Sequence, residues 1–218
     1  MVSLARIMDA VSYDPDSGLL HWKERGADAF TKGKRTAKQK AQIFNAHYAG
    51  KTAFSSLTSA GYLAGTFEKK SVKAHRVAWA LHYGEWPELP IDHINGERSD
   101  NRLQNLRLAN QAQNSRNSAK YKLAKATSPY KGVSRLGGKW KAAIDADHTR
   151  VYLGLFDDEV VAATAYDLAA SVLHGEFART NFTNDKEAMA TFATEYARKN
   201  HKTTSMTGVR VWESKEAY

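Results

Sequence analysis

Residues 91–117 gather side chains that could do chemistry. They read Asp92-His93-Ile94-Asn95-Gly96, then Asp100-Asn101-Arg102, Asn105-Leu106-Arg107 and finally Asn114. Hydrolysis of a phosphodiester needs an activated water, a cation to stabilise charge on the phosphate, and anchoring of both. A neutral imidazole, with a pKa near ~6.5, can take a proton from water at neutral pH. His93 offers that base. A hard divalent cation wants oxygen ligands. Asp92 offers a carboxylate and Asn114 an amide carbonyl. A second amide, on Asn105, could orient His93 through a hydrogen bond. Asp-His beside Asn-Gly would by itself be a turn with incidental polar residues, and loop asparagines often make Asx turns without catalytic duty.

The elements that position these residues follow from local pattern. Asn95-Gly96 predicts a type I′ turn, with Asp92 and His93 at a strand end beside it. Asn110 can cap a short helix carrying Asn114, so the local order is strand, loop, strand, helix. Upstream, Ser3 can cap a helix whose Leu4, Ile7, Met8 and Val11 share a face. Residues 14–18 form a turn and 19–22 a strand. Runs 61–67 and 71–75 bracket a hairpin turn at Glu68-Lys69-Lys70, and a helix over 77–81 stops at Gly84. Residues 31–40 hold five basic side chains and no acid, and without apolar periodicity they read as an exposed loop. His75 reads as a packed residue, and Trp22, Trp79 and Trp86 as core.

Beyond Pro129 the pattern changes. Three strands are predicted, over 131–136, 139–145 and 150–156, joined by Gly137-Gly138 and by Asp147-His148-Thr149. A helix follows, capped by Asp157 or Asp158 and stopped at Gly175. Its small residues Ala162, Ala165 and Ala169 let it lie close to a sheet. Strand alternation sends Trp140, Ala142, Ile144, Val151, Leu153 and Leu155 toward the helix, leaving Lys139, Lys141, Arg150 and Tyr152 on the open face. Residues 131–152 carry five basic side chains and two acids, whereas 153–182 carry one and five. That polarity turns the strands toward phosphate. A sheet bearing Lys, Arg and Tyr can enter a major groove. An ordinary solvated sheet face stands as the alternative. A helix is also expected over 185–198, and 206–212 faintly echoes 130–133.

Two resemblances run through these residues. His75-Arg76-Val77-Ala78-Trp79, Gly84, Pro87, Asp92-His93-Ile94-Asn95-Gly96 and Asp100-Asn101-Arg102 resemble the HNH endonucleases of the phage intron and free-standing homing class. This resemblance implies a ββα-metal nuclease with one divalent ion, Mg²⁺ or Mn²⁺. His93 would be the general base, Asp92 and Asn114 the metal ligands, and Asn105 the residue orienting His93. The last motif position is Asn114 rather than His. The second resemblance rests on Tyr130-Lys131-Gly132-Val133, Gly138-Lys139-Trp140, Val151-Tyr152-Leu153-Gly154-Leu155-Phe156, Ala165-Tyr166-Asp167 and Asn181-Phe182. These are similar to an AP2/ERF DNA-binding domain, which implies a three-stranded antiparallel sheet packed on one helix and reading DNA. Lys131, Lys139, Arg150 and Tyr152 match contact positions, and Arg135 and Lys141 join them as basic sheet residues. Ser134, Leu136 and Asp145 stand where plant members usually carry Arg, so their base preference does not transfer.

The basic excess points toward nucleic acid or an anionic membrane surface, and the two resemblances imply double-stranded DNA as the partner. The 218 residues carry a net charge of +9 and no cysteine, which excludes disulfide scaffolds, thiol catalysis and Cys-ligated zinc. No apolar run is long enough to span a membrane, and the charged first 13 residues lack a signal-peptide core. The expected whole is an α+β protein: an HNH nuclease at 1–117, a basic linker at 118–129, an AP2/ERF domain at 130–182, and a helix and tail at 183–218. Arg116, Lys120, Lys122 and Lys125 could track phosphate between the domains. The expected protein is a monomer on DNA, without a small-molecule cofactor, in the host cytoplasm or nucleoid and not secreted. The rivals are a DNA-binding regulator with an inactive HNH fold and a structural DNA-packing protein.

Overall fold

A computed structural model describes residues 2–31, 33–119, 126–147 and 149–182. The expected helix over 185–198 and the echo at 206–212 lie outside them. Among the described residues, five α-helices accompany several small antiparallel sheets, a mixed α and β architecture. The chain divides into two compact units, Met1–Ala112 and a second beginning at Gln113. No described helix is long and apolar enough to cross a membrane.

The first unit opens with α1 (Leu4–Ala10), which buries Ile7 and Ala10. Val11, expected on that helix, instead begins β1 (Val11–Tyr13), which pairs with β2 (Leu20–Trp22) across the 14–18 turn. Gly18 sits at φ +75°, and a Cβ there would come within 2.5 Å of the Arg102 backbone nitrogen. The turn therefore presses on the loop that follows the chemistry-bearing strand. The basic run at 31–40 is not all loop. Thr36 and Gln39 form a reciprocal capping box that starts α2 (Ala37–Tyr48). Of that helix only Ala41 is buried, and Phe44 packs on Trp22 and Tyr48. Next come β3 (Ser56–Leu57), β4 (Leu63–Phe67) and β5 (Lys70–Lys73), in the order β3-β4-β5. The expected hairpin is present, and Glu68 and Lys69 make its turn with positive φ.

Helix α3 (Ala74–Tyr83) ends on left-handed Gly84. Then β6 (Ile91–His93), β7 (Leu106–Leu108) and α4 (Gln111–Asn117) supply the expected strand, loop, strand, helix. In the β6–β7 register Asp92 faces Arg107 and His93 faces Leu106. The core gathers Ile7, Val11, Leu20, Phe54, Phe67 and Val77, with Trp22 and Trp86 packed on it. Trp22 lies 5.4 Å from Phe54 and 6.3 Å from Phe67. A second cluster of Ala78, Ile91 and Leu106, with Trp79 against it, joins α3 to the β6–β7 pair.

The second unit contains β8 (Val133–Leu136), β9 (Lys139–Ala146) and β10 (Thr149–Phe156) in the order β10-β9-β8. Helix α5 (Glu159–Leu173) follows, and the Asp158 carboxylate caps it by accepting from the Val160 and Val161 amides. Val133, Ala142, Ile144, Ala162, Ala163, Tyr166 and Ala170 form the layer between sheet and helix. Gly132 has φ +76°, and a Cβ there would run into the Tyr166 ring. Glycine is thus required both by the backbone and by the ring above it. One expectation fails on β10. The register slips between Tyr152 and Gly154, so strict alternation breaks. Phe156 then packs on the helix side and Leu155 turns outward, 44% exposed.

Candidate nuclease site and sheet face

His93 is buried at the end of β6, beside Asn101, His75 and Tyr62. Its Nε2 lies 3.2 Å from Asn101 Oδ1. Its ring meets His75 edge-on at 5.1 Å and lies 5.9 Å from the Tyr62 ring. An amide oxygen only accepts, so this hydrogen bond assigns the hydrogen to Nε2 and the lone pair to Nδ1. Burial pushes the imidazole below its ordinary range, opposed by the Asn101 hydrogen bond and the Asp92 and Asp100 charges. A base that stays neutral in this way is ready to accept a proton.

The loop after His93 is held mostly by its own polar groups. Gly96 N–H donates to His93 O at 2.8 Å, and Gly96 alone of the Asn-Gly pair has positive φ, so the turn is not type I′. Asn105 was expected to orient the imidazole. Its Oδ1 instead accepts from Asn95 N–H at 2.9 Å, and its Nδ2 donates to Asp100 O at 2.8 Å. It braces the loop, while Asn101 supplies an amide that meets the ring. Tyr13 Oη donates to the Asn101 carbonyl at 2.8 Å, and Leu103 N–H donates to Pro15 O at 3.0 Å. The β1–β2 turn thereby fixes the segment that holds His93. Asp100 takes both Arg102 Nε and Nη2, at 2.9 and 2.6 Å, which holds its carboxyl down at about 2.

Asp92 is buried, accepts from Arg107 Nε at 2.9 Å and lies 2.8 Å from Arg107 Nη2 as an ion pair. The ion pair follows directly from their cross-strand register. Asn114 lies on α4, past residue 112. Among the described residues no group of three or more His, Asp or Glu is gathered as for a metal. The donors expected from the sequence are one carboxylate, of Asp92, and one amide oxygen, of Asn114. That suits a hard ion such as Mg²⁺, which takes one or two carboxylates and completes its shell with waters and substrate phosphate. It does not suit a soft ion.

His75 is buried, as its sequence context suggested, but it lines the site. Its Nδ1 has no hydrogen-bond partner among the described residues, and burial drives its pKa down to about 3. Tyr62 carries Lys73 Nζ 4.2 Å and the Arg98 guanidinium 5.1 Å from its ring centre. Sequence reading assigned no site role to Asn101, Arg107, Tyr62, Lys73 or Arg98. Asn101 and Arg107 stood inside the quoted stretch. The pairing partner on the neighbouring strand was the signal for Arg107, while Tyr62 lies just before β4 of a separate sheet and had none.

The open sheet face of the second unit carries Lys139 and Lys141 on β9, with Arg150 and exposed Tyr152 on β10. Leu136 and the outward Leu155 join them. Lys139 lies 3.0 Å from Asp157 and Arg150 3.7 Å from Asp145, both exposed ion pairs. Such pairs are weak and leave their cations free to exchange partners. Two expected contacts are elsewhere. Arg135 pairs with Trp140 in register and stacks 5.2 Å over its ring, on the helix side of the sheet. Lys131 is largely buried, and its Nζ donates to the carbonyls of Arg116 and Ser118 at 2.5 and 2.7 Å. Burial and the Arg179 charge lower it to about 8. Arg116 itself reaches Asp147 at 2.7 Å. Lys120 and Lys122 lie outside the described residues. Asp167, counted among the acids of the helix side, is buried and accepts from Asn181 N–H, Asn181 Nδ2 and Phe182 N–H.

A family model described as HNH endonuclease matches residues 72–116. The chain is also similar to an AP2/ERF and B3 domain-containing protein of Oryza sativa subsp. japonica, 50% identical over 60 residues, 27% of this chain and 16% of that protein. It is 46% identical over 57 residues to the AP2/ERF and B3 domain-containing transcription repressor TEM1 of Arabidopsis thaliana, 26% of this chain and 16% of that protein. It is 44% identical over 61 residues to the AP2/ERF and B3 domain-containing transcription factor RAV1 of the same plant, 28% of this chain and 18% of that protein. The chain thus spans less than a fifth of the length of these curated relatives.

Proposed function

We propose that this protein is a metal-dependent DNA endonuclease of the HNH homing type that binds and positions DNA through an AP2/ERF domain at 130–182. The observation that carries the reading is the buried His93 whose Nε2–H donates to Asn101, the tautomer that puts the ring's basic lone pair on Nδ1. His93 takes the proton of the attacking water. Asn101 keeps the ring in one tautomer and steadies the imidazolium as it forms. Asp92, aligned by Arg107, and Asn114 are the ligands for one Mg²⁺ or Mn²⁺. When bound, that ion neutralises charge on the phosphate and on the leaving oxygen. Asn105 keeps the loop after His93 closed. Lys139, Lys141, Arg150 and Tyr152 are the sheet's contacts with duplex DNA, and Arg116 with Lys120 and Lys122 follow phosphate from the linker at 118–129. The protein acts as a monomer in the host cytoplasm or nucleoid, as expected of a mobile-element nuclease.

A second reading has its own support. Relatives named as a transcription repressor and a transcription factor, together with an Asp92 already occupied by Arg107, favour a DNA-binding regulator with an inactive nuclease fold. A plasmid assay separates the two. Supercoiled plasmid should be nicked or linearised in Mg²⁺ and left intact in EDTA, while duplex binding persists in both. His93→Ala should lower the rate by ~10²–10⁴-fold and leave DNA affinity within a few fold. Cleavage at the same rate in EDTA, or by His93→Ala, removes the mechanism.

A further inference from the structure

Tyr62 stands between two cations and two imidazoles. Lys73 Nζ lies 4.2 Å from its ring centre and Arg98 Cζ 5.1 Å. On the same ring, His75 packs at 5.1 Å and His93 at 5.9 Å. The two cations come from separate elements. Lys73 ends β5 and precedes α3, whereas Arg98 lies in the loop between β6 and β7. Arg98 is held in place, because its Nη1 donates to Ala60 O at 2.8 Å. That anchor uses one of five guanidinium N–H groups. Among the described residues, neither cation forms an ion pair with a carboxylate, although Arg102 and Arg107 nearby in sequence both do.

Two like charges brought to one ring repel each other, and an aromatic face recovers only ~0.5–1 kcal/mol per exposed cation. An anion between them relieves that repulsion. The anion that belongs beside a base poised for phosphodiester hydrolysis is a phosphodiester oxygen of the DNA strand. Resting on the nuclease reading above, we propose that Lys73 and Arg98, spaced by Tyr62, form a phosphate clamp that seats the DNA backbone beside His93.

The clamp makes demands that a general positive surface does not. Arg98 and Lys73 must act together, because they share one phosphate and one ring. Arg98 needs charge and Tyr62 needs an aromatic face. The test uses the full-length protein in two assays. Binding of a mixed-sequence 30-base-pair duplex is measured against salt in EDTA, and single-turnover nicking of supercoiled plasmid is measured in Mg²⁺. Arg98→Ala and Lys73→Ala should each weaken duplex binding and make the log–log salt slope shallower, and the double variant should lower it by ~0.9 in total for the one shared phosphate. In nicking, each should lose about tenfold in kcat/KM, the double variant should lose less than the product of the two, and Arg98→Lys should recover most of the loss. Tyr62→Leu should resemble Arg98→Ala in both assays. The exposed Lys51 serves as the control cation, and Lys51→Ala should change neither assay.

Salt slopes and nicking rates unchanged in Arg98→Ala and Lys73→Ala would overturn the clamp. So would losses that multiply independently in the double variant. If wild-type protein cuts no plasmid in Mg²⁺ or Mn²⁺, the nuclease reading fails, and the salt slopes in EDTA still decide whether the two cations hold a phosphate.

Discussion

At the scale of single residues, the tightest constraint is the contact between His93 Nε2 and Asn101 Oδ1. Asn101→Ala should lower plasmid nicking by ~10–100-fold, as loss of a partner that orients a catalytic imidazole does, without changing duplex affinity. Asn105→Ala should act differently. It releases the Asn95 and Asp100 backbone groups and should loosen the loop, seen as faster amide exchange over residues 94–100. Equal exchange in the two variants would remove the distinction. His75 supplies a second prediction, about acid. The unfolded chain takes up a proton near ~6.5, whereas folded His75 resists protonation down to about 3. Its contribution is complete above the unfolded value and drains away as pH falls between the two. The slope reaches ~1.4 kcal/mol per pH unit, and buried His93 adds in the same direction. Urea midpoints at pH 7 and pH 5 should therefore differ less in His75→Phe than in wild type. An identical difference would mean that His75 is not the group responsible.

At the scale of elements, the slip in β10 has a measurable signature. Phe156→Ala should cost about 2 kcal/mol, below the ~3–5 of a fully buried ring, because Phe156 is half-buried. Leu155→Ala should stay within ~0.5 kcal/mol, as outward residues do. Strict alternation from the sequence expects the reverse order, and thermal unfolding of the two variants decides it. The same contrast explains what was legible. The β8–β9–β10 meander and α5 were readable because glycine turns, alternation and an Asp cap all speak locally. So was the strand–loop–strand–helix around His93. A bulge changes phase without any marker residue, so Leu155 and Phe156 exchanged faces unseen. Helix α2 was missed because the basic run masks its apolar positions Ala41, Phe44 and Tyr48, although Thr36 and Gln39 spelled its cap. At the site, residue types were legible and partners were not. Which of several asparagines meets His93 depends on how the loop closes, and that closure is set by Tyr13 and Pro15 some 88 residues away in sequence.

At the scale of the whole molecule, the two compact units invite separation, and Lys131 indicates where to cut. Its ammonium is satisfied by the carbonyls of Arg116 and Ser118, so a fragment starting at 113 keeps groups that one starting at 126 loses. Residues 113–182 should bind duplex DNA without cutting it. Within that fragment Arg150→Ala should make the salt slope shallower by ~0.9, and Arg135→Ala should leave it nearly unchanged, because Arg135 stacks on Trp140 behind the sheet. Equal effects from both would void the assignment of faces. The buried carboxylate of Asp167 has a wider bearing. Through Asn181, whose Oδ1 accepts from Lys131 N–H at 2.6 Å and whose Nδ2 donates to Lys131 O at 3.1 Å, it draws the exit of this segment against its own entrance. Chain that enters and leaves at one point asks almost nothing of whatever surrounds it. Such a segment should be portable: set into a surface loop of an unrelated protein it should keep its own fold, and its ends should rejoin and reopen elsewhere without disturbing the open sheet face.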